Sequence, residues 1–222
     1  MKATKPLVFS YTLLNQYQNC PWASWRKYIK RDIPFKETAA MRWGNEVHTA
    51  FEYRVGGGKP LPVNMQQWEP IAAAFDGQGA KTEQKLGVTA EGKPTGFFAD
   101  DVFLRGKVDV TIIHLTTAFM PDWKTGKCYE KPFELEVQAV LTHAANPYLQ
   151  TIKGAYVWLK ENRIGEIHDC SDTNSTWAKV NNLVAEIKDC IADQEFEKKR
   201  TPLCAWCDVF DCENNTNPEK PR

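Results

Sequence analysis

The sequence predicts an α/β fold in which helices flank a central mixed β-sheet. Up to about residue 75, apolar residues recur at helical spacing; short segments broken by glycines follow, and the chain then returns to helix, strand and helix. Its 222 residues are enough for one sizeable α/β domain with a full core. We therefore expect a single domain over 1–222, with a helical part over 1–75, an α/β core over 80–196 and a cysteine-bearing tail over 197–222.

Four helices are expected in the N-terminal part. Ser10 is a good N-cap for the first, and proline disfavours helix in the residue before it, so this helix ends near Cys20. Three glycines from Gly56 end the third. The predicted helices run from Ser10 to Cys20, Trp22 to Ile29, Thr38 to Val55 and Met65 to Phe75.

The middle of the chain changes to strand patterns. Four strands in an antiparallel meander are expected at Thr82–Val88, Phe97–Leu104, Lys107–Leu115 and Ala118–Lys124. The remaining elements are expected to be a helix, two strands and a long helix, at Pro132–Ala145, Thr151–Lys160, Ile164–His168 and Asp172–Phe196.

Composition limits the classes of function. The formal net charge is zero and the pI is about 6.9, so a nucleic-acid partner would need a local basic groove or bound metal ions. The apolar run from Leu7 to Phe9 is too short for a signal peptide, and nothing approaches the roughly 18 apolar residues of a membrane span. We expect a cytoplasmic protein that binds no membrane, in the host cytoplasm if it is viral.

The most informative stretch is Pro121–Lys127. Residues two apart on a strand share a face, so Asp122 and Lys124 project together while Trp123 turns into the core. Asp109 lies on the preceding predicted strand, between two valines, where an unpaired charge is costly. If the two strands pair as a hairpin, both aspartates meet near its open end. The alternative is a surface hairpin with an ordinary Asp–Lys pair.

Two adjacent carboxylates repel each other, and a cation relieves that repulsion. Oxygen ligands suit Mg²⁺ or Mn²⁺. A lysine beside them can orient water or offset charge that develops on a phosphate. Asp109, Asp122 and Lys124 therefore supply the parts for metal-assisted hydrolysis of a phosphodiester.

These motifs resemble the RecB-like branch of the PD-(D/E)XK nucleases, which includes the nuclease domains of RecB and AddB, CRISPR-associated nucleases and phage exonucleases. The resemblance covers nearly the whole chain. It rests on the opening helix from Ser10, the Gly44–His48 segment with Phe51 and Glu52, the Gly106–Asp109 strand, the Asp122–Gly126 core motif and Gln138. It implies a restriction-endonuclease-like core.

The resemblance also implies roles. Asp109, Asp122 and the backbone carbonyl of Trp123 would be metal ligands, and Lys124 would be the catalytic lysine. His48 would be a further ligand or would orient the metal-bound water. Gln138 would help to place the metal, the lysine or the DNA.

Two of these roles have alternatives. His48 lies one turn before Glu52, so the two side chains could simply hydrogen-bond. The family often has a tyrosine four residues after the glutamine, where this chain has Thr142, so Gln138 could be a solvated residue of an amphipathic helix.

Three cysteines cluster in the tail. Cys204, Cys207 and Cys212 lie within nine residues, and Cys20 is the natural fourth ligand. Four cysteines can hold Zn²⁺ or an iron–sulfur cluster. The same one-plus-three arrangement occurs in several RecB-like nucleases and implies a 4Fe–4S cluster that staples the chain ends together, with Zn²⁺ as the alternative. Chance cysteines in a disordered tail are the third interpretation.

DNA with free or single-stranded ends is the expected partner. Arg26 and Lys27 interleave with aromatic residues, Lys127 follows the core motif, and Glu83 could lie near the DNA path. A solvated basic helix face and a solvated strand residue are the alternatives.

The expected function is a metal-dependent DNA exonuclease of recombination, repair or phage DNA processing, working with or without a separate helicase or recombination partner. The alternatives are a catalytically inactive nucleic-acid-binding iron–sulfur module and an iron–sulfur electron carrier.

Overall fold

In this computed structural model, residues 6–219 are described, and they divide between two compact units. The terminal unit holds the described parts of Met1–Lys36 and Ala178–Arg222, and the sheet unit is Glu37–Trp177. The expectation of one domain over 1–222 stays a prediction. Within residues 6–219, no helix has both the length and the apolar character needed to cross a membrane.

The described residues form six α-helices and six strands, with one π-helical segment and two short 3₁₀ helices. In chain order the elements are α1 (Tyr11–Asn19), α2 (Pro21–Ser24), a π-helical segment (Trp25–Ile29), α3 (Ala39–Gly57), a 3₁₀ helix (Val63–Trp68), α4 (Glu69–Ala73), β1 (Lys81–Val88), β2 (Pro94–Thr95), β3 (Leu104–His114), β4 (Thr117–Lys124), α5 (Pro132–Ala145), β5 (Thr151–Trp158), β6 (Arg163–Asp169), α6 (Thr173–Asp193) and a second 3₁₀ helix (Pro202–Trp206).

The strands form one mixed sheet in the order β2-β1-β3-β4-β5-β6. Strands β4 and β5 are parallel, with α5 as the connection between them, and the other neighbouring pairs are antiparallel. Two neighbouring parallel strands need a crossover of this kind, because a tight turn would leave the second strand antiparallel to the first. The prediction of an α/β fold with a helix-flanked mixed sheet is confirmed.

The predicted strand at Phe97–Leu104 is wrong. Turns occupy most of that segment: the amide of Ala99 donates to the carbonyl of Gly96 at 3.0 Å, and the amide of Val102 donates to that of Ala99 at 3.3 Å. The Arg105 side chain also holds the carbonyl of Phe97 at 3.1 Å. The apolar residues of this segment therefore lie in a loop. The expected four-stranded meander lacks its second strand.

Helix α3 begins one residue after the predicted start at Thr38 and ends two residues after the predicted end at Val55. The Thr38 hydroxyl accepts a hydrogen bond from the amide of Met41 at 3.2 Å, which satisfies one of the free amides of the first turn. Gly58 follows the helix with φ of 68°, a left-handed conformation that suits glycine. Helix α5 has its predicted bounds.

Helices pack on both faces of the sheet. On one face, Val47 and Phe51 of α3 pack with Trp123 of β4 in a cluster that also includes Ala72 of α4. On the other face, Leu135 and Ala139 of α5 belong to a cluster with residues of β3, β4 and β5. Fully burying a large apolar side chain contributes about 2 kcal/mol, so these two layers fix the frame of the sheet.

Arg54 of α3 is expected to stabilise the sheet unit. Its buried guanidinium makes a bidentate ion pair with Asp76, at 2.6 and 2.9 Å, and a further pair with Glu69. Changing Arg54 to Met should lower the free energy of unfolding by about 2 kcal/mol in urea titrations, because two partly exposed carboxylates lose their partner. The exposed pair of Arg42 with Glu37 is the control, and Arg42→Met should cost under about 1 kcal/mol. Equal effects would contradict the argument.

Candidate metal centre

The centre lies where β3 and β4 separate. Their pairing ends at Ile112 with Phe119, although the same register continued would pair Asp109 with Asp122. Instead, the Asp109 carboxylate accepts a hydrogen bond from the backbone amide of Trp123 at 2.9 Å. The gap between the strands thus holds carboxylates in place of backbone hydrogen bonds, and both aspartates are buried.

Strand β1 is irregular at the same level. The ladder between β1 and β3 contains the pairs Thr82 with Val110 and Gln84 with Val108, but not Glu83 with Asp109. Glu83 has φ of 48°, the left-handed region that costs non-glycine residues free energy. Such strain concentrates at functional sites, so the irregularity is a second indication that this level of the sheet is built for chemistry.

At this irregularity, the alternating side chains of β1 and β3 change the face of the sheet on which they lie. A Cβ at Gly56 of α3 would meet Thr82, whereas a Cβ at Gly106 of β3 would meet Leu141 of α5. In the same way, Val108 packs in the cluster beneath α5 and Val110 in the cluster beneath α3. Glu83 and Asp109 lie at the point where the packing changes from the α3 face to the α5 face.

His48 of α3 joins the two carboxylates. Its Nδ1 is 3.2 Å from Oδ1 of Asp109 and 3.6 Å from Oε1 of Glu83. The second Glu83 oxygen pairs with Lys107 of β3. Among the described residues, His48, Glu83 and Asp109 form one of two groups whose three ligand atoms lie within 4.8 Å of one another.

A second set of contacts surrounds Asp122. Lys124 Nζ is 2.7 Å from Oδ1 of Asp122 and 3.2 Å from Oε1 of Glu134 in α5. The Gln138 amide donates to Oδ2 of Asp122 at 2.7 Å. The hydroxyl of Tyr156 lies 2.7 Å from the carbonyl oxygen of Lys131 and 3.1 Å from Oε2 of Glu134, and its ring centre is 5.1 Å from Lys124 Nζ. These contacts hold the lysine head beside Asp122.

The protonation states follow from the crowding of acids. Burial alone would lower the pKa of His48, but the Asp109 and Glu83 carboxylates raise it to about 10. Burial and the Asp122 carboxylate raise the pKa of Asp109. Burial would lower the pKa of Lys124, yet Asp122 and Glu134 raise it overall. Four carboxylates therefore share the positive charges of His48, Lys124 and Lys107.

The donor set fits a hard divalent cation. Carboxylate and amide oxygens with one imidazole are ligands that Mg²⁺ or Mn²⁺ accepts. Oε1 of Glu83 and Oε1 of Gln138 are buried without a hydrogen-bond partner, which is costly for a polar atom unless another ligand satisfies it. Acidic groups at this centre could thus bind a divalent metal.

The second three-ligand group has a different character. Glu130, Glu166 and His168 lie at strand β6 and the loop before α5, and Glu166 is exposed. Glu130 accepts hydrogen bonds from the amide of Glu166 at 3.3 Å and pairs with His168 at 2.9 Å. These contacts connect the loop after Lys124 to strand β6, and they use both carboxylate oxygens of Glu130.

The sequence-predicted residues lie in two adjoining sets of contacts. Nδ1 of His48 lies 3.2 Å from Oδ1 of Asp109, and Lys124 and Gln138 contact Asp122. The three-ligand group contains Asp109 but not Asp122, and Glu83, predicted beside the DNA path, instead belongs to that group. The contact with Asp109 accounts for the orientation of His48 without Glu52.

Sequence reasoning missed Glu134, Tyr156 and Lys107. Glu134 lies one helical turn before Gln138, a spacing that puts both on one face of α5 and could have been noticed. Thr142 donates to the sulfur of Met120 at 3.2 Å, so it supplies no phenol. The tyrosine at the site is Tyr156 of β5, aligned with Asp122 by the parallel pairing.

The four cysteines of the predicted cluster lie in the terminal unit and line one cavity of about 190 Å³. None of the seven cysteines forms a disulfide. Burial raises the pKa of the Cys207 thiol, and the nearby Cys20 and Cys204 thiols also raise it. The backbone amide of Trp22 donates to the carbonyl of Glu197 at 3.0 Å, so both ends of the chain meet within this unit.

The predicted DNA-contact residues differ in availability. Arg26 is buried and pairs with Asp32 and Asp211, and Lys27 pairs with Asp208 at 3.1 Å. Lys127 is exposed, three residues after Lys124. Contacts of these residues with DNA stay predictions, but the two paired cations have their charge offset within the terminal unit.

Comparisons with known proteins give likeness of fold. The sequence matches no protein-family model and no curated protein. A crystal structure of a "putative exonuclease" from Eubacterium rectale has TM-score 0.56 at 13% identity, covering 90% of this chain and 87% of that one. The crystal structure of SSO0001 has TM-score 0.54 at 12% identity, covering 96% and 89%. At these identities the likeness shows a shared α/β fold.

Proposed function

We propose that this chain is a divalent-metal-dependent deoxyribonuclease of the RecB-like branch of the PD-(D/E)XK superfamily. It hydrolyses DNA phosphodiester bonds, acting as an exonuclease in recombination, repair or phage DNA processing. One observation carries the proposal: buried Asp109 and Asp122 lie at corresponding positions of two strands that separate there, with Lys124 2.7 Å from Asp122. The shared fold with the Eubacterium rectale protein supports it.

Mg²⁺ or Mn²⁺ would be held by Asp109, Asp122, Glu83 and His48, together with the carbonyl of Trp123. When bound, the ion supplies Lewis-acid charge that offsets negative charge on the reacting phosphate and makes water more acidic. Oε1 of Glu83 is buried and accepts no hydrogen bond, although it lies 3.6 Å from Nδ1 of His48, and this supports the ligand set.

The protein side chains prepare the site for a phosphate. Lys124 stays protonated because Asp122 and Glu134 raise its pKa, so it brings a fixed positive charge to the reacting phosphate. Gln138 orients Asp122 by donating to Oδ2, which leaves Oδ1 for Lys124 or a cation. His48 holds Asp109 and Glu83 at one point.

Glu134 acts on cleavage through Lys124. Changing Glu134 to Gln should slow cleavage about tenfold, because the lysine loses a charged partner at 3.2 Å and swings away from its position. Single-turnover cleavage would be measured for Glu134→Gln, Lys124→Ala and the double variant.

The double variant separates positioning from structure. If Glu134 works by holding Lys124, then Glu134→Gln has no further effect once Lys124 is alanine. Multiplied losses in the double variant would contradict that role. Tyr156→Phe removes a hydroxyl 3.1 Å from Glu134, whose shorter contact is with the Lys131 carbonyl, and should follow the same pattern with a smaller loss.

We also propose a 4Fe–4S cluster in the terminal unit, held by Cys20, Cys204, Cys207 and Cys212. Their shared cavity of about 190 Å³ supports it. A single Zn²⁺ bound at about 2.3 Å from four sulfurs needs the sulfurs about 4 Å apart. Zn²⁺ bound by the same four cysteines is the alternative.

The proposed partner is DNA with a free or single-stranded end, delivered by a separate helicase or recombination protein where unwinding is required. The assay is anaerobic cleavage of linear and circular DNA, single- and double-stranded, in Mg²⁺, Mn²⁺ or EDTA, with Lys124→Ala as the control. Degradation of linear DNA alone, lost in EDTA and in the variant, is the expected result. Binding without cleavage in any metal would replace the proposal by an inactive nucleic-acid-binding module.

A further inference from the structure

Three cations lie together on strands β1 and β3, beside the metal centre. Lys85 pairs in register with Lys107, and Arg105 lies two residues before Lys107, so all three share one face of the sheet. This is the face opposite α5, on which Lys107 pairs with Glu83 of the three-ligand group. We call Lys85, Arg105 and Lys107 the basic row.

The basic row is costly unless it has an anionic partner. Like charges directly opposite each other on paired strands destabilise a sheet. Lys107 pairs with Glu83, but within residues 6–219 neither Lys85 nor Arg105 makes an ion pair. The chain as a whole has no excess of basic residues, so a concentration of three at this place is a local feature. An anion bound along the row would remove the repulsion.

An exposed aromatic side chain adjoins the row. Phe98 is 76% exposed, in the loop that precedes β3. The Arg105 guanidinium lies 5.5 Å from its ring centre and 4.7 Å from that of Phe97, and it donates to the carbonyl of Phe97 at 3.1 Å. The two phenylalanine rings pack edge to face, with centres 4.9 Å apart. The loop therefore presents a supported ring next to a cation, the combination on which single-stranded nucleic acids stack bases.

The basic row leads away from the metal centre. Asp109, Lys107 and Arg105 alternate along β3, and a strand rises about 3.3 Å per residue, so Arg105 lies about 13 Å from Asp109. A single strand is not held at the duplex rise of about 3.4 Å per phosphate, so the row spans the length of a few nucleotides of a bound strand.

We propose that the basic row and Phe98 form a binding track for a single strand of DNA entering or leaving the metal centre. Lys85, Lys107 and Arg105 contact phosphates, and Phe98 stacks a base a few nucleotides from the cleaved bond. This rests on the proposed nuclease function and adds the residues that bind the single-stranded end of its substrate. A blunt duplex cannot put an unpaired base on the ring.

The test is fluorescence anisotropy of a labelled single-stranded oligonucleotide with the full chain in EDTA, over a series of salt concentrations. Lys85→Gln and Arg105→Gln should each weaken binding several-fold and reduce the slope of log affinity against log salt by about 0.7, the value for one phosphate contact on a single strand. Phe98→Leu should weaken binding about tenfold without changing the slope.

Matched variants separate contact from folding. Lys85→Arg keeps the charge and Phe98→Trp keeps the stacking surface, so both should bind as the unchanged chain does. Lys153→Gln removes an exposed lysine elsewhere on the sheet and should change neither affinity nor slope. If Lys85→Gln and Arg105→Gln behave like Lys153→Gln, or if blunt duplex competes as well as single strand, the track is refuted.

The outcome is independent of cleavage. If binding depends on the basic row and Phe98 but the chain cleaves no DNA in any metal, the track is supported and the nuclease function is refuted. If the chain cleaves DNA but its row and Phe98 variants bind normally, the nuclease function is supported and the track is refuted.

Discussion

Changing Asp122 to asparagine is expected to reduce DNA cleavage by about a thousandfold or more. A catalytic metal supplies several kcal/mol of transition-state stabilisation, and each 1.36 kcal/mol corresponds to a factor of ten in rate. Asparagine removes the charge of a ligand that is buried between Lys124 and Gln138, yet its carbonyl can still accept the Gln138 hydrogen bond. The rate would be measured in single turnover with saturating enzyme.

The same variant should still fold and bind DNA. Removing one of several crowded carboxylates lessens the repulsion that raises the pKa of Asp109, so the unfolding midpoint should not fall by much. Asp193→Asn, at an exposed helix end, is the matched control and should cleave normally. Cleavage by Asp122→Asn within tenfold of the unchanged chain would remove Asp122 from the chemistry.

Changing Cys207 to serine is expected to have the largest effect on stability. A bound structural metal contributes its binding free energy to folding, which amounts to about 10 kcal/mol for structural zinc. Loss of one ligand should release the iron and destabilise the terminal unit by about 3 kcal/mol or more, measured by iron content and by thermal unfolding. Cleavage rates of the surviving folded fraction should change less, because the cysteines and the metal centre belong to different units.

Cys128 gives the control for this prediction. It is exposed and does not line the cysteine cavity, so Cys128→Ser should keep iron content and melting temperature. The pairs of Arg26 with Asp211 and Lys27 with Asp208 should hold part of the terminal unit even without metal. Iron content unchanged in Cys207→Ser, or zinc at one ion per chain in the unchanged protein, would contradict the cluster.

Local sequence signals predict the parts of the site that depend on local structure. Asp109, Asp122 and Lys124 lie on two neighbouring strands joined by a short turn, so alternation and hairpin register are enough to bring them together. The position of helix α3 is predictable because both of its ends depend on local features. Thr38 caps the start with a hydrogen bond, and Gly58 takes the left-handed conformation after the end.

Long-range pairing explains what the sequence does not reveal. Tyr156 reaches the site because β5 pairs in parallel with β4 after a helical crossover, and no local pattern sets that register. Glu83 joins the ligands through a left-handed residue within a strand, which alternation rules exclude. The apolar residues around Phe97 suggested a strand, but turns and the Arg105 side chain hold them as a loop.

Binding of Mn²⁺ measured by electron paramagnetic resonance reports the metal centre itself, because it needs no choice of DNA substrate. The unchanged chain is expected to bind Mn²⁺, Asp109→Asn to lose this binding, and Glu166→Gln, in the other group of three ligands, to keep it. Equal binding by the unchanged chain and Asp109→Asn, or loss of binding only in Glu166→Gln, would show that the metal does not bind at Asp109.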